Sequence, residues 1–445
     1  MKSICESDKA IETSISVCIV NWNTKDFLYE CLTSITPYQQ PEKLEIIVVD
    51  NHSDDGSAEM TREKFHSVRL VANQDNRGYA AANNQAIEIA QGEYILLLNP
   101  DTRIPANIFP VLKRKMEQDP SIGLITCQLR NFDGSVQGFC SGLPTLADEI
   151  FLQTGFDQLY PDNPVAAHRT MTYFDYESEA EIEQPPGTFM FLRRQVLETV
   201  EGFDEQFRIF FNDVDLCKRI RDAGWKVLYT PDVYIYHHKS ASIKKNLAQH
   251  LTDAFYMRRI YYRKHYGAFR QRLLSFFAPF PNTGKASYIL PASPGIKSIL
   301  FVRSSFDAHF AESLELVRKS YPDTRIDLLT TRYPDTENPE LCSIFRRIHL
   351  YNGKRRKIYY SLTNSLLKKT LKNQQYDVVF FPHAAVDGAG YWNIIFFALA
   401  LSARFIVGHG VDKRLNRVYP HLFFQFKYIF VYLSAHLLLF IKSRQ

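Results

Sequence analysis

The chain has 445 residues, 45% of them hydrophobic and 23% charged, with a net charge of +5. That length exceeds what one core fills and predicts two domains or a domain plus extensions, the composition excludes a disordered chain, and so mild a charge does not imply a nucleic-acid binder. Seven cysteines, an odd number with no Cys-x-x-Cys, argue against a disulfide framework or a zinc site and fit a reducing compartment.

Residues 1–13 are polar with no apolar run, so no signal peptide is expected and the protein is placed in the cytoplasm. A short apolar strand at 16–20 ends on Asn21-Trp22-Asn23-Thr24, and a helix follows over 25–35. A second strand covers 44–50 and ends on Asp50, before the turn-rich stretch Asn51 to Ser57. A third strand covers 68–72. Asn76-Arg77-Gly78-Tyr79 then opens an Ala-rich helix suited to close packing on a sheet. Residues 94–98 are apolar throughout, which predicts a central strand buried on both faces. Pro100 cannot donate to a ladder and ends it. Strands alternating with helices predict a mostly parallel α/β sheet covered on both faces.

Such a sheet binds ligands at the carboxyl ends of its strands, where Asn21, Asp50, Arg77 and Asp101 collect. A carboxylate after the second strand suits a nucleoside. Asp101 either caps the next helix or holds a divalent cation against a phosphate. No Gly-x-Gly-x-x-Gly and no Gly-Lys-Ser/Thr loop occurs, so neither a dinucleotide nor a P-loop nucleotide is expected. Further on, a strand at 187–194 precedes the loop Gly202-Phe203-Asp204-Glu205 and a helix reaching Ala223. Asp213 near that helix start is either a dipole-favoured cap or a general base walled by Phe210 and Phe211. Two strands, 225–229 and 233–236, lead to His237, which suits a metal when Asp101 lies near.

At these residues the chain resembles the family 2 glycosyltransferases of GT-A fold, closest to the rhamnosyltransferase-like branch. The matching stretches are Val20-Asn21-Trp22-Asn23, Val48-Val49-Asp50-Asn51, Asn76 to Asn84, Leu98-Asn99-Pro100-Asp101-Thr102, Gly202 to Glu205, Asn212 to Cys217 with Arg219, and Pro231 with His237. The resemblance covers about residues 14–270. It implies that Val20, Asn21, Asp50, Arg77, Gly78 and Asn99 line a nucleoside-diphosphate sugar, and that Asp101 and His237 hold Mg²⁺ or Mn²⁺. It implies Asp213 as the general base of a single inverting displacement, with Asp215 as the second candidate. The family's Glu beside that base is Asn212 here. Asn cannot take a proton at neutral pH, so Asn212 and Asp215 are left as acceptor-side candidates. The expected function is transfer of a sugar, rhamnose on the branch's example, to a glycan or lipid-linked acceptor of surface polysaccharide synthesis. The alternative is a non-catalytic sugar-nucleotide-binding or scaffold protein of the same pathway, which Asn212 favours.

Between Lys239 and Leu274 stand nine Lys/Arg and one acid, interleaved with aromatics, over a predicted helix at 246–266. The helix either meets an anionic membrane surface or packs on protein with snorkelling cations. The first domain is set at 1–275 and a Pro-rich linker at 276–296. A second Rossmann-like α/β domain at 297–415 weakly resembles the N-terminal half of heptosyltransferase-like GT-B enzymes. Within it, strands are expected at 298–303, 325–330, 376–381 and 404–408, and helices at 308–320, 357–372 and 392–402. Residues 421–441 carry one charge, Lys427, but Gln425, Lys427, Ser434 and His436 make a poor span and predict an in-plane or docked helix rather than a span, within a C-terminal segment 416–445. Together these place the protein at the inner face of the cell membrane, in peripheral contact with it.

Overall fold

The computed structural model describes residues 14–154, 163–238, 247–274, 296–302, 307–330, 339–350, 370–371, 373–383, 401, 403, 405–410 and 415–418. The helices expected at 357–372 and 392–402 fall almost wholly outside these residues, and the segment 421–441 lies entirely outside them. Two compact units are present: Met1–Leu143 with Thr170–Lys245, and Pro144–Arg169 with Asn246–Gln445.

The strands of the first unit are β1 (Ile15–Asn21), β2 (Leu44–Asp50), β3 (Val68–Ala72), β4 (Tyr94–Leu98), β5 (Thr102–Arg103), β6 (Ile122–Arg130), β7 (Ala180–Glu181), β8 (Phe189–Arg193) and β9 (Lys226–His237). They form one sheet of order β3-β2-β1-β4-β8-β6-β9-β5, with β7 beside β9. The β1, β2, β3 and β4 pairs are parallel, so their carboxyl ends share one edge. Strand β8 runs antiparallel to β4 and β6.

Strand β4 is buried on both faces because period-2 alternation feeds two cores. Tyr94, Leu96 and Leu98 enter one, Ile95 and Leu97 the other. Each fully buried Leu contributes roughly 1.5–3 kcal/mol. Alanines 80, 82 and 86 of the helix Tyr79–Ile89 are buried against the second core, as their small size allows. The helix Lys25–Ile35 buries Leu28, Cys31, Leu32 and Ile35, an i, i+3, i+4, i+7 stripe.

Two expectations need correction. The segments 225–229 and 233–236 are one strand, β9, and Pro231 sits where its register with β6 shifts between Cys127 and Gln128. A bulge tolerates the donor that proline lacks. Strand β6, nine residues long and almost wholly buried, was not foreseen.

In the second unit, β10 (Ser298–Val302), β11 (Arg325–Thr330), β12 (Arg347–Leu350), β13 (Val378–His383), β14 (Phe405–Gly410) and β15 (Leu415–Val418) form a sheet of order β12-β11-β10-β13-β14-β15. All its pairs are parallel except β14–β15, as expected of a Rossmann-like unit. The basic helix Leu247–Tyr266 buries Phe255, Tyr261 and Tyr262, and the hydroxyls of Tyr262 and Tyr266 donate to Thr145 O and Pro144 O at 2.9 Å each. Its aromatic face therefore packs on protein of its own unit. Tyr256 and Phe269 are the exposed aromatics of this region. No helix among the described residues is long and apolar enough to cross a membrane.

Candidate functional site

The site lies along the carboxyl edge of β1, β2 and β4. The register puts Asn21 opposite Asp50, the last residues of their strands. Asn21 Nδ2 donates to Asp50 Oδ1 at 2.9 Å. Ser53 donates to the same carboxylate twice, by its hydroxyl at 2.7 Å and its N–H at 3.0 Å. Asp50 is thus fixed as a buried acceptor at the carboxyl end of β2. Val20, one residue earlier on β1, is 7% exposed and belongs to the second core.

Asn51 is a residue whose role the sequence did not disclose. It is buried, and its Nδ2 donates to Asn76 Oδ1 at 3.0 Å and to Gly78 O at 3.2 Å. Its Oδ1 accepts from Asn73 Nδ2 at 3.1 Å and from Arg77 N at 3.0 Å. One amide therefore holds the whole Asn73–Gly78 loop, and the exposed Arg77 side chain projects from it. The available signal was a second polar residue directly behind a buried strand. Trp22, 48% exposed beside Asn21, is another residue without an assigned role.

Beyond β4, Asn99 donates its N–H to Thr188 O at 3.0 Å. Thr102 and His237 are paired across β5 and β9, and His238 N donates to Asp101 O at 2.9 Å. These backbone bonds bring His237 Nε2 to 3.5 Å from Asp101 Oδ2. The other ring nitrogen, Nδ1, lies 2.9 Å from Gln137 Oε1, while Gln137 Nε2 donates to His237 O at 2.8 Å. With the proton on Nδ1, Nε2 offers its lone pair beside Asp101. Asp101 Oδ1 is buried without a hydrogen-bond partner, a costly state for a carboxylate oxygen.

These residues fit a divalent cation. An orphaned carboxylate oxygen and an imidazole oriented from behind are what such an ion takes, and the Gln137 contact is the usual outer support. No group of three or more His, Cys, Asp or Glu side chains that could hold a metal occurs among the described residues. Asp101 and His237 could supply two ligands, and Mg²⁺ is commonly held by one or two carboxylates with the remaining positions taken by water or phosphate oxygens.

On the other side, Asp213 is in the first turn of the helix Asn212–Asp222. Gly187 N donates to its Oδ2 at 3.0 Å and Val214 N to its Oδ1 at 2.9 Å. Its oxygens meet N–H donors rather than only the expected aromatic wall. Asn212 is buried and spends its amide locally: Nδ2 donates to Ile209 O at 2.6 Å, and Oδ1 accepts from Asp213 N at 2.7 Å. Asp215 is fully buried and accepts from Arg219 Nε at 2.8 Å. Asp213 is drawn to the cluster through Gly187. The side chains of Asn212 and Asp215 point into the protein.

Residues 16–180 match the family model described as glycosyl transferase family 2. The chain is 27% identical over 284 residues to an N-acetylglucosaminyl-diphospho-decaprenol L-rhamnosyltransferase of Mycobacterium tuberculosis, covering 61% of this chain and 88% of that protein. It is 25% identical over 238 residues to the glycosyltransferase GlyG of Streptococcus pneumoniae, covering 52% of this chain and 73% of that one. Among solved structures it is similar to a mannosyltransferase of Pyrobaculum calidifontis in complex with GDP-Man and Mn²⁺, at 22% identity and a TM-score of 0.38, over 55% of this chain and 63% of that one. Residues 16–180 thus form a glycosyl transferase family 2 domain, and the chain is a glycosyltransferase similar to rhamnosyltransferases.

Proposed function

We propose that the enzyme transfers a deoxyhexose of the rhamnose type from a nucleoside diphosphate to a lipid-linked glycan at the inner face of the membrane, with inversion. The observation that carries this reading is the orphaned Asp101 Oδ1 beside His237 Nε2, at the end of a strand whose neighbours present Asp50 and Asn21. The rhamnose and lipid-linked parts rest on the name of the Mycobacterium tuberculosis relative.

Asp50, with Asn21 and Ser53 locked onto it, accepts from a base N–H or ribose hydroxyl. Asn51 keeps the Asn76–Gly78 loop open at the height of the nucleotide. Asp101 and His237 would hold a divalent cation, which would supply positive charge against that of the departing diphosphate. Asp213 takes the proton of the acceptor hydroxyl as that oxygen attacks the anomeric carbon. The glycosidic bond forms as the bond to diphosphate breaks. Gly187 N–H orients the Asp213 carboxylate, which as a base must start as an acceptor.

The test is calorimetric titration with UDP, GDP and dTDP, with Mn²⁺ and with chelator, followed by turnover of the matching nucleotide sugar. One nucleotide should bind in a metal-dependent way. Asp213→Asn should keep that affinity and lose turnover by roughly 10²–10⁴-fold. Retained turnover in that variant, or no nucleotide binding by folded protein, refutes the reading.

A further inference from the structure

Tyr79 follows Gly78 of the donor loop and begins the helix Tyr79–Ile89. Its backbone N–H donates to Arg208 O at 2.7 Å, in the loop that leads into the Asp213 helix. Its hydroxyl reaches Gly187 O at 3.0 Å and Asn99 Oδ1 at 3.2 Å. Gly187 in turn gives its N–H to Asp213 Oδ2 at 3.0 Å, and Thr188 O accepts from Asn99 N at 3.0 Å. One side chain therefore ties three segments together: the donor loop, the Asn99–Asp101 loop and the turn that grips Asp213. Its ring lies edge-on to Phe203, centroids 6.1 Å apart, so packing fixes where the hydroxyl stands.

We infer that Tyr79 is a positioning residue, whose O–H holds the Gly187–Thr188 turn in the place from which Gly187 N–H aims the Asp213 carboxylate, and which thereby couples occupancy of the donor loop to alignment of the base. The inference rests on the proposed role of Asp213.

The chemistry of the phenol supports it. Burial pushes the Tyr79 hydroxyl up, and the negative charges of Asp213 and Asp101 push it further, so it remains an O–H donor through the working pH range. It has one proton for two acceptors. A donor-substrate group that engages the Asn99 amide leaves that proton to Gly187 and tightens the turn. Gly187 lies directly between the two residues, since a Cβ added there would be in van der Waals contact with both, 3.5 Å from Tyr79 Oη and 3.6 Å from Asp213 Cβ.

Tyr79→Phe tests this, because it keeps the ring on Phe203 and removes only the hydroxyl. The probes are UDP, GDP and dTDP with Mn²⁺, the matching nucleotide sugar, and amide exchange resolved at Gly187. The expected result is about tenfold lower kcat and faster exchange at Gly187, with much smaller changes in melting temperature, nucleotide Kd and donor KM. Wild-type kcat with wild-type Gly187 exchange overturns the inference, and so does a loss of kcat matched by equal losses in Kd and melting temperature. Asp213→Asn is measured alongside. If it keeps turnover, the base assignment fails by itself, and Gly187 exchange in Tyr79→Phe still decides whether the hydroxyl holds the turn.

Discussion

His237 Nε2 stands 3.5 Å from Asp101 Oδ2 because β5 and β9 pair Thr102 with His237 and place the two side chains on the same edge. The antiparallel bridge brings the two side chains together. Asp101→Ala removes the orphaned oxygen. It is expected to lower nucleoside-diphosphate affinity in Mn²⁺ at least tenfold, to the value wild-type protein shows with chelator. His237→Ala should do the same to a smaller extent. Titration calorimetry with and without Mn²⁺ measures both, and metal-dependent binding that survives Asp101→Ala would remove that residue from the site.

Gly78 has φ +87°, and a Cβ there would lie 3.0 Å from Arg208 O and 3.2 Å from Arg208 Cβ. Backbone strain and a backbone clash act together, so Gly78→Ala is expected to cost about 1–3 kcal/mol. Because Asn51 accepts from Arg77 N and donates to Gly78 O, the displaced loop should also lose nucleotide affinity. Thermal unfolding and the same titration check the two effects. An unchanged melting temperature would show that the loop yields freely.

In the second unit, Asp327 is fully buried on β11. It accepts from Arg346 Nε at 3.0 Å, Arg346 Nη2 at 2.8 Å and Tyr376 Oη at 2.7 Å. Burial pushes its carboxyl up, but the His349 ring, with Nε2 3.9 Å away, and the hydrogen bonds from Arg346 and Tyr376 outweigh this and hold it well below the usual carboxylate range. The folded-state pKa is thus below the unfolded one, near 3.9. Its contribution is complete above about pH 4 and is lost as pH falls toward the folded value. Asp327→Asn should cost about 2–3 kcal/mol at neutral pH, and the difference from wild type should shrink with acidification. Denaturant titrations at neutral and acid pH measure it. A pH-independent difference would mean that the carboxylate charge is not what matters.

The sequence by itself determined those elements whose burial pattern is local. Strand β4 is readable because five consecutive apolar residues leave no solvent face, and the helix Lys25–Ile35 because its apolar stripe has helical period. The polar strand ends Asn21, Asp50 and Asp101 were legible for the same reason: each interrupts an apolar run abruptly. Strand β6 was missed because a run carrying Thr126 and Gln128 is not apolar throughout. Only the fold reveals that Thr126 Oγ1 donates to Phe189 O at 3.0 Å and Gln128 Nε2 to Tyr176 O at 2.9 Å. The unbroken course of β9 past Pro231 was hidden because the shift that tolerates the proline belongs to the pairing with β6. Which polar residues act together was decided by tertiary structure alone. Asp215 and Asp213 are two residues apart in one helix, yet Arg219 buries the first and Gly187 holds the second at the site. Asn51, Gln137 and Tyr79 gain their roles from partners far along the chain, and no local pattern encodes a hydrogen bond between segments that only the sheet brings together.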